Sequence, residues 1–114
     1  MNGAVVYWWE RSVPGREAAS MELMRDTNAF LDKAHADEHI TDYAWYLGMG
    51  AGMHLLILRG ELEQLSALMA TTEALAINTR AALVNEGMRH GFFATGDTIA
   101  PMAGLFEQLA GQLA

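Results

Sequence analysis

The chain has 114 residues, a formal net charge of −7 at pH 7, no cysteine and a hydrophobic share of 52%. This length predicts a single domain, residues 1–114, and the lack of cysteine excludes disulfides, thiolate nucleophiles, zinc ribbons and iron–sulfur clusters. The excess of acidic over basic residues, without any basic run, argues against nucleic acid or an anionic membrane as the main partner.

The N-terminal segment lacks the uninterrupted apolar stretch of a secretory signal, because Glu10, Arg11 and Arg16 soon interrupt it. The longest nearly uncharged run, residues 43–58, is shorter than the ~18–20 residues that a membrane-spanning helix needs. We therefore expect a cytoplasmic protein without a membrane partner.

The first third of the chain predicts a strand followed by a long helix. Residues 4–10 form a short aromatic and β-branched run, typical of a strand, that ends at the turn signal Val13-Pro14-Gly15. From about Arg16 to His39, apolar residues recur at helical spacing and charged residues occupy the other side. This pattern predicts one amphipathic helix.

A hairpin is predicted next. Residues 43–47 and 53–58 are aromatic or aliphatic, and the alternate glycines between them allow the positive φ of a tight turn. Helical spacing returns in residues 61–69 and again from about 72 to 83, where Thr71 and Thr72 can cap the second helix.

The C-terminal part predicts a fourth strand at residues 88–94 and a last helix. The apolar residues of this helix step by three and four from Ile99 to Leu113, and Pro101 is tolerated because it falls in the first turn. The complete order is strand, helix, strand, strand, helix, strand, helix. With right-handed crossovers this order predicts an α+β fold, a ferredoxin-like βαββαβ sandwich with a four-stranded antiparallel sheet and a C-terminal helix.

Neither face of the predicted sheet is polar. An antiparallel sheet with one solvated face alternates apolar and polar residues, but in the first strand Val5, Tyr7 and Trp9 alternate with Ala4, Val6 and Trp8. Several large aromatic residues on an open face exceed the apolar patch that a soluble monomer usually shows. We therefore predict a homodimer that forms through the sheet face by a two-fold interface.

The chain resembles the dimeric α/β-barrel superfamily. The resemblance lies in the first strand followed by Val13-Pro14-Gly15-Arg16, the helix and hairpin, and Gly60-Glu61-Leu62-Glu63-Gln64-Leu65 leading to Thr71-Thr72-Glu73-Ala74-Leu75. It covers nearly the whole chain and implies a homodimer whose sheets close into a dimeric α+β barrel, often with a small-molecule cavity in each protomer. Members include cofactor-independent monooxygenases, haem-degrading enzymes, chlorite dismutase-type proteins, stress-responsive barrels and proteins without a known activity.

Few residues could carry out chemistry. His54, in the third strand, and His90, in the fourth, are candidate proton relays, because imidazole titrates near neutral pH. Arg89 could balance developing negative charge. The alternative for His54 is a strand-end residue beside the glycine turn that is bonded to backbone or water, and the alternative for His90 is a residue on an exposed edge strand.

Aromatic side chains are the candidate substrate-binding residues. Tyr7, Trp9, Trp45 and Tyr46 could line an apolar cavity, and core packing is the alternative for each of them. His35 and His39 stand four apart on the predicted helix, a spacing that permits chelation, but we interpret them as residues of the last helical turn. We expect no metal and no cofactor.

Two functions are consistent with the sequence. One is a cofactor-independent enzyme, monooxygenase-like or isomerase- or cyclase-like, that acts on a small apolar or aromatic molecule. The other is a non-catalytic homodimeric binding or structural module, and a haem-binding barrel is a weaker third. A cavity of about 300 Å³ or more with His54 or His90 at its wall favours the enzyme, whereas a solidly packed interior favours the module.

Overall fold

The structure is a computed structural model, and it describes residues 1–50 and 52–113. The elements, in chain order, are β1 (Asn2–Trp9), β2 (Arg11–Ser12), α1 (Glu17–Ala36), β3 (Asp42–Tyr46), β4 (His54–Glu61), α2 (Leu62–Met69), α3 (Thr72–Val84), β5 (Asn85–Glu86), β6 (Arg89–Ala94), a short 3-10 helix (Gly96–Thr98) and α4 (Ile99–Leu113).

The main sheet has four strands in the order β3-β4-β1-β6, and each pair of neighbours is antiparallel. This order, with helices between the first two and the last two main strands, confirms the predicted ferredoxin-like α+β fold. A second ladder joins β2 to β5, with Arg11 opposite Glu86. The sequence did not predict it, because a strand of two residues shows no periodicity.

Strand register assigns the two faces of the sheet. Tyr7 lies opposite Leu56 on β4 and opposite His90 on β6, whereas Trp8 lies opposite Leu55 and Arg89. Residues directly opposite each other share a face. We call the face of Tyr7 the inner face, since Val5, Tyr7, Trp9, Leu56 and Leu58 are buried on it, and the face of Trp8 the outer face.

Helices α1 and α2 cover the inner face. The buried residues of α1 are Leu23, Thr27, Leu31 and Ala34, three or four apart, so that they form one stripe along the helix. Leu65 of α2 is completely buried and packs in the same core as Leu31 and Leu58. The core therefore lies between the inner face and the helices, as the amphipathic patterns predict.

Helix α1 ends earlier than the sequence pattern indicates. Its last residue is Ala36 rather than His39, because Glu38 adopts a left-handed conformation with φ of 61°. The His39 amide then donates to the Ala34 carbonyl at 2.8 Å, which closes the helix end. His35 and His39 consequently do not share a helical face.

The outer face of the sheet and helix α4 are more exposed to solvent than the inner face. On the outer face Trp8 is partly buried and contacts Phe93 edge-on, with ring centroids 6.4 Å apart, and Tyr46 is exposed. Every residue of α4 is exposed, and its main contact is with the preceding 3-10 helix.

Among the described residues, no helix combines the length and apolar character needed to cross a membrane.

Candidate functional site

A cavity of about 60 Å³ lies between the inner face of the sheet and helices α1 and α3. The sheet supplies aromatic and leucine side chains, the helices supply mostly aliphatic ones, and every lining residue is uncharged. The lining comprises Tyr7, Trp9, Ser20, Leu23, Met24, Thr27, Phe30, Leu31, Trp45, Leu56, Leu58, Met69, Ala74, Ile77, Asn78, Ala81, Asn85 and Met88.

Tyr7 and Asn78 form the principal polar pair of the cavity. The Tyr7 hydroxyl donates to Oδ1 of Asn78 at 2.7 Å, and Sδ of Met69 lies 3.1 Å from the same hydroxyl oxygen. Burial raises the pKa of Tyr7 to about 12, although the hydrogen bond with Asn78 opposes this shift. Tyr7 is therefore a neutral phenol at physiological pH.

A second polar pair lines the cavity near β5. The Ser20 hydroxyl on α1 lies 3.3 Å from Oδ1 of Asn85, a buried residue at the end of α3. The buried Thr27 also belongs to the wall. These groups can donate or accept hydrogen bonds without introducing a charge.

Trp45 in the aromatic wall is oriented by one polar contact with a residue outside the lining. Nε1 of Trp45 donates to Oδ1 of Asn28 at 2.7 Å, which fixes the orientation of the indole. The Trp45 ring meets Trp9 edge-on, with centroids 6.1 Å apart and an interplanar angle of 86°. Three other lining residues, Met24, Met69 and Met88, have flexible side chains that can adapt to a guest molecule.

The structure brings three of the four predicted substrate-binding residues together. Tyr7, Trp9 and Trp45 all line the cavity. Tyr46 does not line it, because its register opposite Leu55 places it on the outer face, where it is 47% exposed.

The predicted catalytic residues lie outside the cavity lining. His54 lies opposite Trp9 in the strand register, with ring centroids 5.6 Å apart, and its Nδ1 accepts a hydrogen bond from the Gly48 amide at 3.1 Å. The exposed His90 stacks on Tyr7, with ring centroids 5.2 Å apart and an interplanar angle of 26°. Arg89 is exposed and, as the register partner of Trp8, belongs to the outer face.

Sequence reasoning missed Asn78, Thr27 and Asn85. A signal for Asn78 exists, since α3 places it beside Ala74, Ile77 and Ala81 at helical spacing. A polar residue in such an apolar stripe indicates a buried hydrogen bond.

Within residues 1–50 and 52–113, no group of three or more His, Asp or Glu side chains is arranged to hold a metal ion. The cavity itself offers only neutral oxygen, nitrogen and thioether groups.

The chain is similar in structure to proteins of low sequence identity. Rv0793 from Mycobacterium tuberculosis superposes with a TM-score of 0.67 at 16% identity, over 85% of this chain and 97% of that protein. SnoaB, a cofactor-independent oxygenase from Streptomyces nogalater, gives a TM-score of 0.66 at 14% identity, over 85% and 95%. A dimeric protein of unknown function and ferredoxin-like fold from Bacteroides fragilis gives 0.60 at 12% identity, over 82% and 96%.

No protein-family model matches the chain, and comparison with curated protein sequences gives no match. The structural similarities confirm the predicted α+β fold. At these identities they establish the ferredoxin-like fold and nothing about the reaction.

Proposed function

We propose that this protein binds a small, uncharged, apolar or aromatic molecule between its sheet and helices, as a homodimer. The observation that carries the proposal is the cavity whose wall is uncharged throughout and contains the Tyr7–Asn78 hydrogen bond. Sites for small organic ligands commonly combine a mainly apolar wall with a few convergent polar groups.

The wall selects for a neutral ligand. No Lys, Arg, His, Asp or Glu lines the cavity, so an ionised ligand would lose its hydration without gaining a counter-charge. Trp9, Trp45 and Phe30 offer aromatic surface, and the Tyr7–Asn78 pair offers one directed polar contact, for example to a hydroxyl or carbonyl oxygen.

The size of the cavity requires the wall to move. At about 60 Å³ it is smaller than the roughly 150 Å³ of an engineered cavity that accommodates benzene, and well below the ~300 Å³ typical of a preformed ligand pocket. Rotation of Met24, Met69 and Met88 is the simplest means of enlarging it, because unbranched thioether side chains change rotamer at low cost.

The second candidate is oxygenation of the bound molecule without a cofactor. Its support is the fold shared with SnoaB, which is described as a cofactor-independent oxygenase. In this chain Tyr7, with a pKa of about 12, is a neutral phenol whose one proton is donated to Asn78, so its oxygen can accept a hydrogen bond from the substrate but cannot remove a proton. Any proton relay would involve His54 or His90, which contact the rings of Trp9 and Tyr7 but do not line the cavity.

The homodimer is proposed because aromatic residues are exposed on the outer face of the sheet. Tyr46 and Phe93 are nearly half exposed there, Phe93 contacts the partly buried Trp8, and aromatic residues of this kind are enriched in protein interfaces. The Bacteroides fragilis protein of the same fold is described as dimeric. We propose that two outer faces pack against each other in a two-fold interface.

A cavity-filling variant tests ligand binding. Ala81→Leu adds volume inside the cavity, whereas Ala82→Leu makes the same change one residue later at an exposed position of α3. With naphthalene and hydroxynaphthalene as neutral fluorescent probes, we expect saturable binding to the wild type and to Ala82→Leu, and at least about tenfold weaker binding to Ala81→Leu.

Circular dichroism and thermal unfolding verify that both variants are folded, and the smaller change Ala74→Val fills the same cavity if Ala81→Leu is unstable. Equal binding by all folded variants would contradict a ligand site in this cavity.

Native mass spectrometry of the purified protein identifies any molecule that it retains, and oxygen consumption with that molecule distinguishes binding from oxygenation.

A further inference from the structure

Helix α4 exposes a continuous apolar side. Its side chains at Ile99, Met102, Leu105, Phe106, Leu109 and Leu113 are between 49% and 90% exposed. Ile99, Met102, Phe106, Leu109 and Leu113 step by three and four, and Leu105 stands three residues after Met102 and four before Leu109, so that all six share one side of the helix. No residue of α4 is buried, so residues 1–50 and 52–113 leave this side of the helix uncovered.

A helix with so few charged and polar residues is poorly suited to stay exposed to water. Glu107 is its only charged residue, and the polar side has little beyond Gln108 and Gln112. The whole molecule is also extended: its radius of gyration is 16.2 Å, whereas a compact domain of this length has about 13 Å. An apolar arm that projects from a compact body indicates a contact with another surface.

The base of the arm is fixed to the sheet. Thr98, at 2% exposure, donates its hydroxyl to the Asn2 carbonyl at 2.8 Å, and the Thr95 amide donates to the same oxygen at 3.3 Å. These bonds tie the start of α4 to the start of β1. The arm therefore leaves the body at a defined point, and none of its residues from Ile99 to Leu113 is buried.

Charge argues against a membrane as the covering surface. Helices that lie on membranes carry Lys or Arg on their polar side, whereas α4 has no basic residue and the chain has a net charge of −7. The surface that fits α4 is apolar and proteinaceous. The outer face of a second copy has this chemistry, with Trp8, Tyr46 and Phe93 on it.

We infer that α4 is an exchanged arm: in the homodimer, the apolar side of each α4 packs against the partner protomer next to its outer sheet face. At roughly 60–120 Å² per large apolar side chain, the six residues bring on the order of 500 Å² per protomer, or about 1,000 Å² for both arms. Added to the outer faces, this area reaches the ~1,200–2,000 Å² of a stable interface. The inference rests on the proposed homodimer and specifies which segment holds it together.

Two variants with the same added charge test the inference in the full-length protein. Phe106→Glu places a carboxylate on the apolar side of α4, and Gln108→Glu adds the same charge off that side. By sedimentation velocity over a dilution series, we expect the wild type and Gln108→Glu to be dimers, and Phe106→Glu to show a dissociation constant at least about thirtyfold higher.

Leu105→Glu is a second substitution on the apolar side, and far-ultraviolet circular dichroism verifies that each variant is folded. If the wild type and all variants form dimers of equal affinity, the exchanged arm is overturned while the homodimer stands. If the wild type is monomeric at every concentration, both are overturned. Binding of a monomeric wild type to neutral phosphatidylcholine vesicles, abolished by Phe106→Glu, would assign α4 to a membrane instead.

Discussion

The hydroxyl of Tyr7 donates a hydrogen bond of 2.7 Å to Oδ1 of Asn78, 71 residues further along the chain. This bond joins the central strand β1 to α3 across the wall of the cavity. It is thus both a link between layers of the fold and the polar feature that a ligand would meet.

Removing the hydroxyl of Tyr7 tests both roles. Tyr7→Phe keeps the ring but leaves the partly buried oxygen of Asn78 without its donor, so we expect the free energy of unfolding to fall by about 1–3 kcal/mol in chemical denaturation. Hydroxynaphthalene should lose more affinity than naphthalene. Tyr46→Phe, at an exposed position, should change neither quantity, and an equal effect of both substitutions would contradict the role of the Tyr7–Asn78 hydrogen bond.

The raised pKa of Tyr7 predicts loss of stability at high pH. The folded state keeps the phenol protonated up to a pKa of about 12, whereas the unfolded chain releases this proton near 10. The stabilising contribution is therefore complete below pH 10 and is lost as pH rises from 10 towards 12, by about 2 kcal/mol. Denaturation curves at several alkaline pH values measure this slope, and Tyr7→Phe should remove most of it.

Gly3 of β1 has no space for a side chain. A Cβ atom there would overlap the side chain of Leu62 and lie 2.9 Å from the backbone oxygen of Phe93. Gly3→Ala should therefore lower the free energy of unfolding by roughly 1–3 kcal/mol. The matched change Gly104→Ala, where the new Cβ meets no described atom within 4 Å beyond its chain neighbours and the adjacent helix backbone, should leave it unchanged or raise it by up to about 1 kcal/mol. Thermal unfolding of both variants measures the difference.

Glu38 is a site where glycine should stabilise the protein. Its φ of 61° is a left-handed conformation that glycine adopts without strain, at the position where glycine commonly ends a helix. We expect Glu38→Gly to raise the free energy of unfolding by about 0.5–1 kcal/mol, and Glu38→Ala to give no gain. If Ala stabilises as much as Gly, removal of the acidic charge rather than relief of strain is responsible.

Much of the fold could be predicted from local patterns. The aromatic and β-branched run of β1 and the regular spacing of Leu23, Leu31 and Ala34 in α1 each identify an element within a few residues, because secondary structure repeats over short distances in the chain. The short ladder between β2 and β5 and the end of α1 at Ala36 were missed, because two residues carry no period and the left-handed turn at Glu38 has no glycine to indicate it.

The candidate site was predicted only in part. Aromatic residues of the strands could be proposed as cavity walls, and Tyr7, Trp9 and Trp45 do line the cavity. Tyr7 and Tyr46 both belong to aromatic strand segments in the sequence, but strand register places them on opposite faces of the sheet. His54 and His90 were proposed from their chemistry, and the structure places both against aromatic rings outside the lining.

The sequence by itself determined the order of the elements, the alternation within each strand and the apolar character of both sheet faces, since these depend on neighbours in the chain. Only the tertiary structure decided that Tyr7 rather than Trp8 faces the helices and that Asn78 contacts Tyr7. It also decided that α4 projects from the rest of the domain with its apolar side exposed. These features depend on how distant segments pair and pack, and a shift of one residue in register would exchange every inner side chain for an outer one.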